Sequence, residues 1–279
     1  MLYPTPQVNI PTEKTYAYID GGWMREHGSK AIKAVFKVEP QFDFNHIVEM
    51  LQANRLYYYD CAGEPKKSTE TQADFDQRTA AQDALLASVP QADYCRVRLG
   101  TLKPGKGKKK GPSQKEVDVQ IAVDMLTHAA NKRMDRAVLV SGDLDFRPVV
   151  QSVSELGVIV VLRYDPKATA EDLINACDIR RPLSIDDWWW FMSDSFRTAY
   201  PLPKRTTTWG WPIEYSIILK TGSVGGRKAR ILQNPEHTKK VCIAYENGNG
   251  EEVVLHETED PVFVYSRYLP ALDIEIKWD

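Results

Sequence analysis

The segment Ala137-Val138-Leu139-Val140-Ser141-Gly142-Asp143-Leu144-Asp145 passes without a break from an apolar run into small and acidic residues. A run this short, closed by a glycine, predicts a strand buried on both faces, as in a parallel sheet with helical crossovers. Working forward, Asp145 to Leu156 reads as a helix, Val158 to Tyr164 as a second buried strand and Thr169 to Ala176 as another helix. Working backward, Val117, Ile121, Met125 and His128 mark one helix face, preceded by a strand over Tyr94–Leu99. Before that come an Ala- and Gln-rich helix over Asp74–Val89, closed by Pro90, and a strand from Arg55 to Tyr59 that ends at Asp60. Phe44, Ile47, Val48 and Leu51 recur at helical spacing behind Asp43, which is placed to cap them. The first strand is Tyr16-Ala17-Tyr18-Ile19, ending at Asp20, after which Gly21-Gly22 permits a sharp turn. Strand and helix alternating in this way predict an α/β fold, a parallel sheet flanked by helices.

After residue 180 the pattern changes. An aromatic connector, Asp186-Asp187-Trp188-Trp189-Trp190-Phe191-Met192, leads to Pro201 and Pro203. Beyond it the chain alternates in β fashion over Ile213–Leu219, Ala229–Leu232, Val241–Tyr245, Val253–His256 and Val262–Tyr265, with Asn247-Gly248-Asn249-Gly250 as a hairpin turn. We therefore expect an α/β domain over residues 1–185, a connector over 186–204 and a small β-rich domain over 205–279.

Composition narrows the function classes. The 279 residues carry 36 Lys and Arg against 38 Asp and Glu, with 43% hydrophobic and 27% charged residues, as in an ordinary globular protein. The longest aliphatic run, Val158 to Leu162, is far short of the roughly 20 residues that span a bilayer. No basic-then-apolar leader opens the chain, and Cys61, Cys95, Cys177 and Cys242 form no CxxC pair, so reduced thiols and a cytoplasmic location are expected. A net charge of −2 gives no global basic footprint, so any nucleic-acid function must lie in the local arrangement of charge.

Four aspartates gather on one edge of the expected sheet. Asp20 closes the first strand, Asp143 and Asp145 follow the fourth, and Asp118 lies in the first turn of the helix leading into the fourth. Open α/β sheets bind ligands beyond the carboxyl ends of strands where the strand order reverses. Carboxylates gathered there repel unless a cation compensates them, and hard oxygen donors suit Mg²⁺ or Mn²⁺. Any single one of these residues could equally be a cap or turn residue; four on one edge are harder to explain that way. The five histidines are isolated and HExxH is absent.

Three motifs together, Tyr18-Ile19-Asp20-Gly21-Gly22, Lys115 to Leu126 and Val140 to Val149, resemble the NYN domain, a family similar to PIN-domain ribonucleases, in its LabA-like branch. The resemblance covers about residues 14–185 and extends to the closing helix over Ala168–Asp178. It implies a PIN-like (Rossmannoid) five-stranded parallel sheet of order 3-2-1-4-5. It also implies metal-dependent endonucleolytic cleavage of RNA, leaving 5′-phosphate and 3′-hydroxyl ends. Asp20, Asp118, Asp143 and Asp145 match the acidic site that would hold Mg²⁺ or Mn²⁺ and activate a water. Asp124 also matches the motif, but its position about 120° around the helix from Asp118 makes it a secondary acid. Where the family commonly has Asn after the first Asp, this chain has Gly22 and Trp23; where it commonly has Gly, Glu116 and Leu144 stand.

Residues 103–115 carry Lys103, Lys106, Lys108, Lys109, Lys110 and Lys115 with no acid, and Arg96 and Arg98 precede them. Lysines that neutralise phosphates give sequence-independent affinity, so this arm reads as a nucleic-acid clamp beside the acids, for single-stranded RNA. Trp23, directly after the Asp20 turn, is placed to stack a base; the other aromatic clusters read as packing. Gly222 to Lys228 lacks the phosphate-loop pattern and reads as a turn. The β-rich domain could serve a homodimer or a protein partner. Two other functions fit: an RNA-binding module with weak or no catalysis, and a small-substrate phosphohydrolase. Against the second, Asp20-Gly21-Gly22 lacks the DxD of a haloacid-dehalogenase-like enzyme.

Overall fold

The computed structural model describes residues 13–62, 66, 68–101, 115–206, 215–239, 241–246 and 253–279. The chain divides into two compact units. One runs to His27 and resumes over Phe42–Leu183; the other comprises Gly28–Gln41 and Ser184–Asp279.

At the centre of the first unit is β1 (Thr15–Asp20), paired in parallel with β2 (Arg55–Ala62) on one side and β4 (Arg136–Val140) on the other. Beyond β2 lies β3 (Cys95–Thr101), and beyond β4 lie β5 (Ile159–Tyr164) and then β6 (Ile179–Pro182). The order is 3-2-1-4-5-6, the expected arrangement extended by one strand. Ile179-Arg180-Arg181-Pro182 gave no apolar signal because an edge strand tolerates charge and proline, and both blunt further pairing. The strand order reverses between β1 and β4. Ile19 pairs with Val140 in that register, so Asp20 and Ser141 leave the sheet side by side.

Residues Ala137 to Val140 are all buried, as expected of a strand covered on both faces. Tyr18 stacks on Tyr57 at 5.8 Å and on Tyr59 at 6.5 Å between ring centres. Its hydroxyl lies 2.7 Å from Nδ1 of buried His128. The Tyr57-Tyr58-Tyr59 triplet is therefore core, and the hydroxyls of Tyr58 and Tyr59 donate to Asp60 and Asp124.

Helix α1 (Gly21–Phe36) begins directly at the end of β1, where only a turn was expected. The sequence hid it because Gly21 and Gly22 are poor helix formers. The close approach of β2 requires the first glycine: a Cβ on Gly21 would lie 2.5 Å from Tyr58 Cζ and 2.6 Å from the Tyr59 carbonyl oxygen. Then α2 (Phe44–Met50) starts on Asp43, whose Oδ1 accepts from Asn45 N at 2.9 Å, as the sequence predicts. A capping box between Thr71 and Asp74 starts α3 (Gln72–Ser88). Val117, Ile121 and Met125 are the fully buried face of α4 (Lys115–Ala130). Two shorter helices, α5 (Arg147–Glu155) and α6 (Glu171–Ala176), flank β5 in the chain.

In the second unit the aromatic segment forms α7 (Ile185–Trp190), started by a capping box between Ser184 and Asp187, and α8 (Asp194–Ala199) follows. An antiparallel sheet then combines β7 (Lys204–Thr206), β8 (Ile217–Val224), β9 (Arg227–Gln233), β10 (Val241–Glu246), β11 (Val253–Thr258) and β12 (Lys277–Trp278) in the order 12-8-9-10-11-7. The glycine-rich segment at 222–228 makes the β8–β9 turn, with Gly225 and Gly226 at φ of 54° and 79°, where glycine is favoured. Val262–Tyr265, expected as a strand, is instead helical, within a stretch running from Pro261 to Ala271. Asp260 explains the difference: its Oδ1 accepts from Phe263 N at 2.9 Å and Pro261 occupies the first turn, two helix-start signals that override the apolar alternation. The expected Asn247–Gly250 turn lies outside the described residues. All four cysteines are free and buried. Among the described residues, no helix is long and apolar enough to cross a membrane.

Candidate active site

Asp20, at the last position of β1, is buried and doubly held: Oδ1 accepts from Trp23 N at 3.1 Å and Oδ2 from Ser141 Oγ at 3.1 Å. Ser141, fully buried, in turn accepts from Asp143 N at 3.2 Å. Asp143 is exposed and caps a short 3-10 turn over Leu144–Phe146, its Oδ1 accepting from Asp145 N at 2.9 Å. A continuous hydrogen-bonded path thus joins Asp20, Ser141, Asp143 and Asp145 across the point where the strand order reverses. Asp145, also exposed, does not cap the next helix, which starts from Phe146 without a side-chain cap.

Asp118 reaches this group from the first turn of α4. Gly100 near the end of β3 admits the helix start, because a Cβ there would sit 2.8 Å from Val117 Cγ2. Burial, followed by the charges of Asp20, Asp143 and Asp145, pushes the Asp118 carboxyl up to about 6. Burial likewise raises Asp20, opposed by its bonds from Trp23 and Ser141 and reinforced by the charges of Asp143 and Asp60. The four predicted acids therefore feel one another. Asp118 titrates upward because burial and then three like charges disfavour its ionised form.

These oxygen donors suit a hard divalent cation, and their mutual repulsion is what such an ion would relieve. Among the described residues no group of three or more His, Cys, Asp or Glu is arranged to hold a metal ion. Mg²⁺ is commonly bound through one or two carboxylates with several waters retained, so the donor set fits the ion without a closed protein cage.

Asp124 is engaged with other partners. Its Oδ2 accepts from Tyr59 Oη at 2.8 Å and lies 3.4 Å from Arg98 Nε. Arg98 is thereby ion-paired and lies over the Tyr57 ring, whereas Arg96 is exposed on β3. Trp23 is half-buried and stacks on His27 at 4.5 Å, and a Cβ on Gly142 would meet its Nε1 at 2.7 Å. His27 Nδ1 lies 2.9 Å from Asp165 Oδ2. Lys103, Lys106, Lys108, Lys109 and Lys110 lie outside the described residues; Lys115 opens α4, its side chain lying outside them.

Two features escaped the sequence reading. Ser141, an uncharged residue within the Val140–Val149 motif, joins Asp20 to Asp143. Asp60, fully buried at the carboxyl end of β2, receives Arg25 Nε at 3.0 Å and Nη2 at 2.8 Å, Tyr58 Oη at 3.1 Å and Cys61 N at 2.8 Å. The signal for Asp60 was its position: like Asp20, it closes a strand on the edge that carries the site.

The NYN domain profile matches residues 32–184, more than half of the chain and including Asp118, Asp143 and Asp145. The chain belongs to the NYN domain family. NYN domains are PIN-like nucleases, which supports a nuclease role in general. Asp20 precedes the matched residues, and the sheet places it with the acids that lie inside the match. No curated protein matches the chain. Among solved structures it is similar to a protein of unknown function from Vibrio parahaemolyticus, at 22% identity over 65% of this chain and 96% of that one, with a TM-score of 0.43.

Proposed function

We propose that the protein is a Mg²⁺- or Mn²⁺-dependent endoribonuclease of the LabA-like NYN branch, with Asp20, Asp118, Asp143 and Asp145 as its acidic centre. The observation that carries this reading is the hydrogen-bonded path Asp20–Ser141–Asp143–Asp145 at the switch point of the sheet, whose three carboxylates, after burial, also push the Asp118 carboxyl up to about 6. A divalent ion bound there supplies Lewis acidity at the scissile phosphate and a lowered pKa for attacking water. The chain's own part is to hold donors in place. Ser141 and the Trp23 amide fix both oxygens of Asp20, so its orientation is set before substrate arrives. Asp143 and Asp145, exposed on a capped turn, face incoming substrate and can orient the attacking water. Exposed Arg96 and the lysines of 103–115 supply positive charge for the RNA backbone. The four buried thiols suit a cytoplasmic setting.

The test is cleavage of labelled single-stranded RNA and DNA by the purified chain with Mn²⁺, Mg²⁺ or EDTA, alongside Asp143→Asn. Metal-dependent RNA cleavage that the variant loses is expected. RNA retained but uncut under every condition would make the protein a binding module instead.

A further inference from the structure

The second unit contains a cavity of about 410 Å³, away from the acidic residues in sequence and lined entirely by this unit. Its floor is one face of the antiparallel sheet. Arg205 on β7 lies directly opposite His256 on β11, and Val254, two residues before His256, lies opposite Tyr245 on β10. Directly opposed residues share a face, so Arg205, His256 and Tyr245 converge there. Asp186 and Trp190 reach the cavity from α7, Tyr268 from the helical stretch after Asp260, and Arg227 from the β8–β9 turn.

The polar groups of this cavity are incompletely used. His256 is almost fully buried, and its Nε2 lies 3.3 Å from Tyr245 Oη. Its Nδ1 is buried with no hydrogen-bond partner among the described residues. A buried polar atom left without a partner is a costly exception, and in a cavity wall it points to a ligand. Burial, followed by the charge of Arg205, pushes the imidazole down to about 4, so the ring is neutral near pH 7. With Nε2 engaged by the phenol, Nδ1 is free to donate or to accept according to tautomer. Asp186 accepts from Tyr268 Oη at 3.0 Å, leaving a second carboxylate oxygen available. Arg205 and Arg227 are exposed and bring two guanidinium forks to the cavity.

We propose that this cavity binds a nucleoside monophosphate, free or as the 5′-phosphorylated end of an RNA strand. The phosphate sits on Arg205 and Arg227, and the base enters among Tyr245, Tyr268 and Trp190, where His256 Nδ1 and Asp186 meet its edge. Arginines alone would suit any anion. Aromatic walls, an unsatisfied imidazole nitrogen and carboxylate acceptors call for a ligand that carries a planar ring with N–H donors as well as an anion. The volume falls within the roughly 300–1,000 Å³ of small-ligand pockets. This inference does not depend on the nuclease reading.

The experiment is titration calorimetry on the full chain in EDTA, so that metal-dependent cleavage is silent. The titrants are the four nucleoside 5′-monophosphates, the matching nucleosides, inorganic phosphate, tryptophan, and a tetraribonucleotide with and without its 5′-phosphate. Arg227→Met, at the exposed first residue of β9, and Arg205→Met are titrated in parallel. At least one monophosphate or the 5′-phosphorylated oligomer should bind below 1 mM, at least tenfold tighter than its nucleoside or unphosphorylated form, and tenfold weaker in each variant. Tighter binding of the free nucleotide marks a metabolite site; tighter binding of the oligomer marks a strand-end site. No binding of either, equal binding by Arg227→Met, phosphate bound as tightly as the nucleotide, or tryptophan bound in preference to it would each overturn the proposal.

Discussion

Ser141 donates its hydroxyl to Asp20 Oδ2 at 3.1 Å, joining the ends of β1 and β4 through one buried hydrogen bond. The bond stabilises the ionised form of a carboxyl that burial drives the other way. Ser141→Ala removes it, while the Trp23 amide still donates to Asp20 Oδ1. We expect a loss of about 1–3 kcal/mol in stability, read by denaturant unfolding. The acid limb of the cleavage profile should also move to higher pH, because Asp20 then ionises less readily. An unchanged profile would show that Ser141 serves packing alone.

Asp118 gives a pH dependence of opposite sign to that of a salt-bridged aspartate. Its folded carboxyl ionises near 6 against an ordinary 3.8, so between these values the folded state binds the extra proton. Folding stability therefore falls as pH rises from about 4 to 6, and the cost is fully present above that window. Allowing for solvent screening of a half-buried group, Asp118→Asn should raise stability at pH 7 by about 1 kcal/mol, and the gain should vanish below pH 4. The same variant should lose cleavage, the usual conflict between stability and a site built from like charges. Urea unfolding of both proteins at pH 4 and 7 checks the sign.

Added cation should reverse that cost. Mn²⁺ at about 100 times its dissociation constant would stabilise the folded chain by about 2.7 kcal/mol if it binds only that state. A rise in melting temperature with Mn²⁺ or Mg²⁺ is expected in the wild-type chain, and a markedly smaller one in Asp118→Asn and Asp143→Asn. Equal rises in all three would place the ion elsewhere.

Much of this site is legible in the sequence. Apolar runs such as Ala137–Val140 and Val158–Tyr164 declare buried strands because nothing else packs them, and strand ends then locate Asp20 and Asp143. The start of α1 could not be read, since Gly21 is there for the space beside Tyr58 and its propensity points away from helix. Val262–Tyr265 misled for the converse reason: its alternation is real, but a cap at Asp260 decides the backbone. Ser141 and Asp60 were visible as letters, while their partners lie 121 and 35 residues away in sequence, and no local pattern encodes such pairings.

Asp124 separates a structural acid from a site acid. Its oxygen serves Tyr59 and Arg98, six residues along α4 from Asp118. Asp124→Asn keeps an acceptor for Tyr59 but removes the charge facing Arg98. Cleavage should stay within about threefold of wild type, with stability lower by about 1 kcal/mol, while Asp143→Asn loses cleavage and folds normally. Cleavage rates and melts of the two variants side by side decide the assignment; a large loss of cleavage in Asp124→Asn, with the fold intact, would return Asp124 to the acidic centre.

The Arg25–Asp60 pair should be the costliest polar contact to break in the first unit. Asp60 is fully buried, and Arg25 grips it through two nitrogens at 3.0 and 2.8 Å. Arg25→Met strands that carboxylate among Tyr58, Cys61 and Gln82, whose neutral donors cannot replace a charge. A loss of about 3–5 kcal/mol is expected, because an uncompensated buried charge costs more than the pair itself contributes. The double variant Arg25→Met with Asp60→Leu removes both charges and should recover a large part of that loss. The pair also sets the start of α1 against the end of β2, one strand away from Asp20. In the double variant, stability should therefore return further than cleavage does, which parallel melts and RNA-cleavage rates would show.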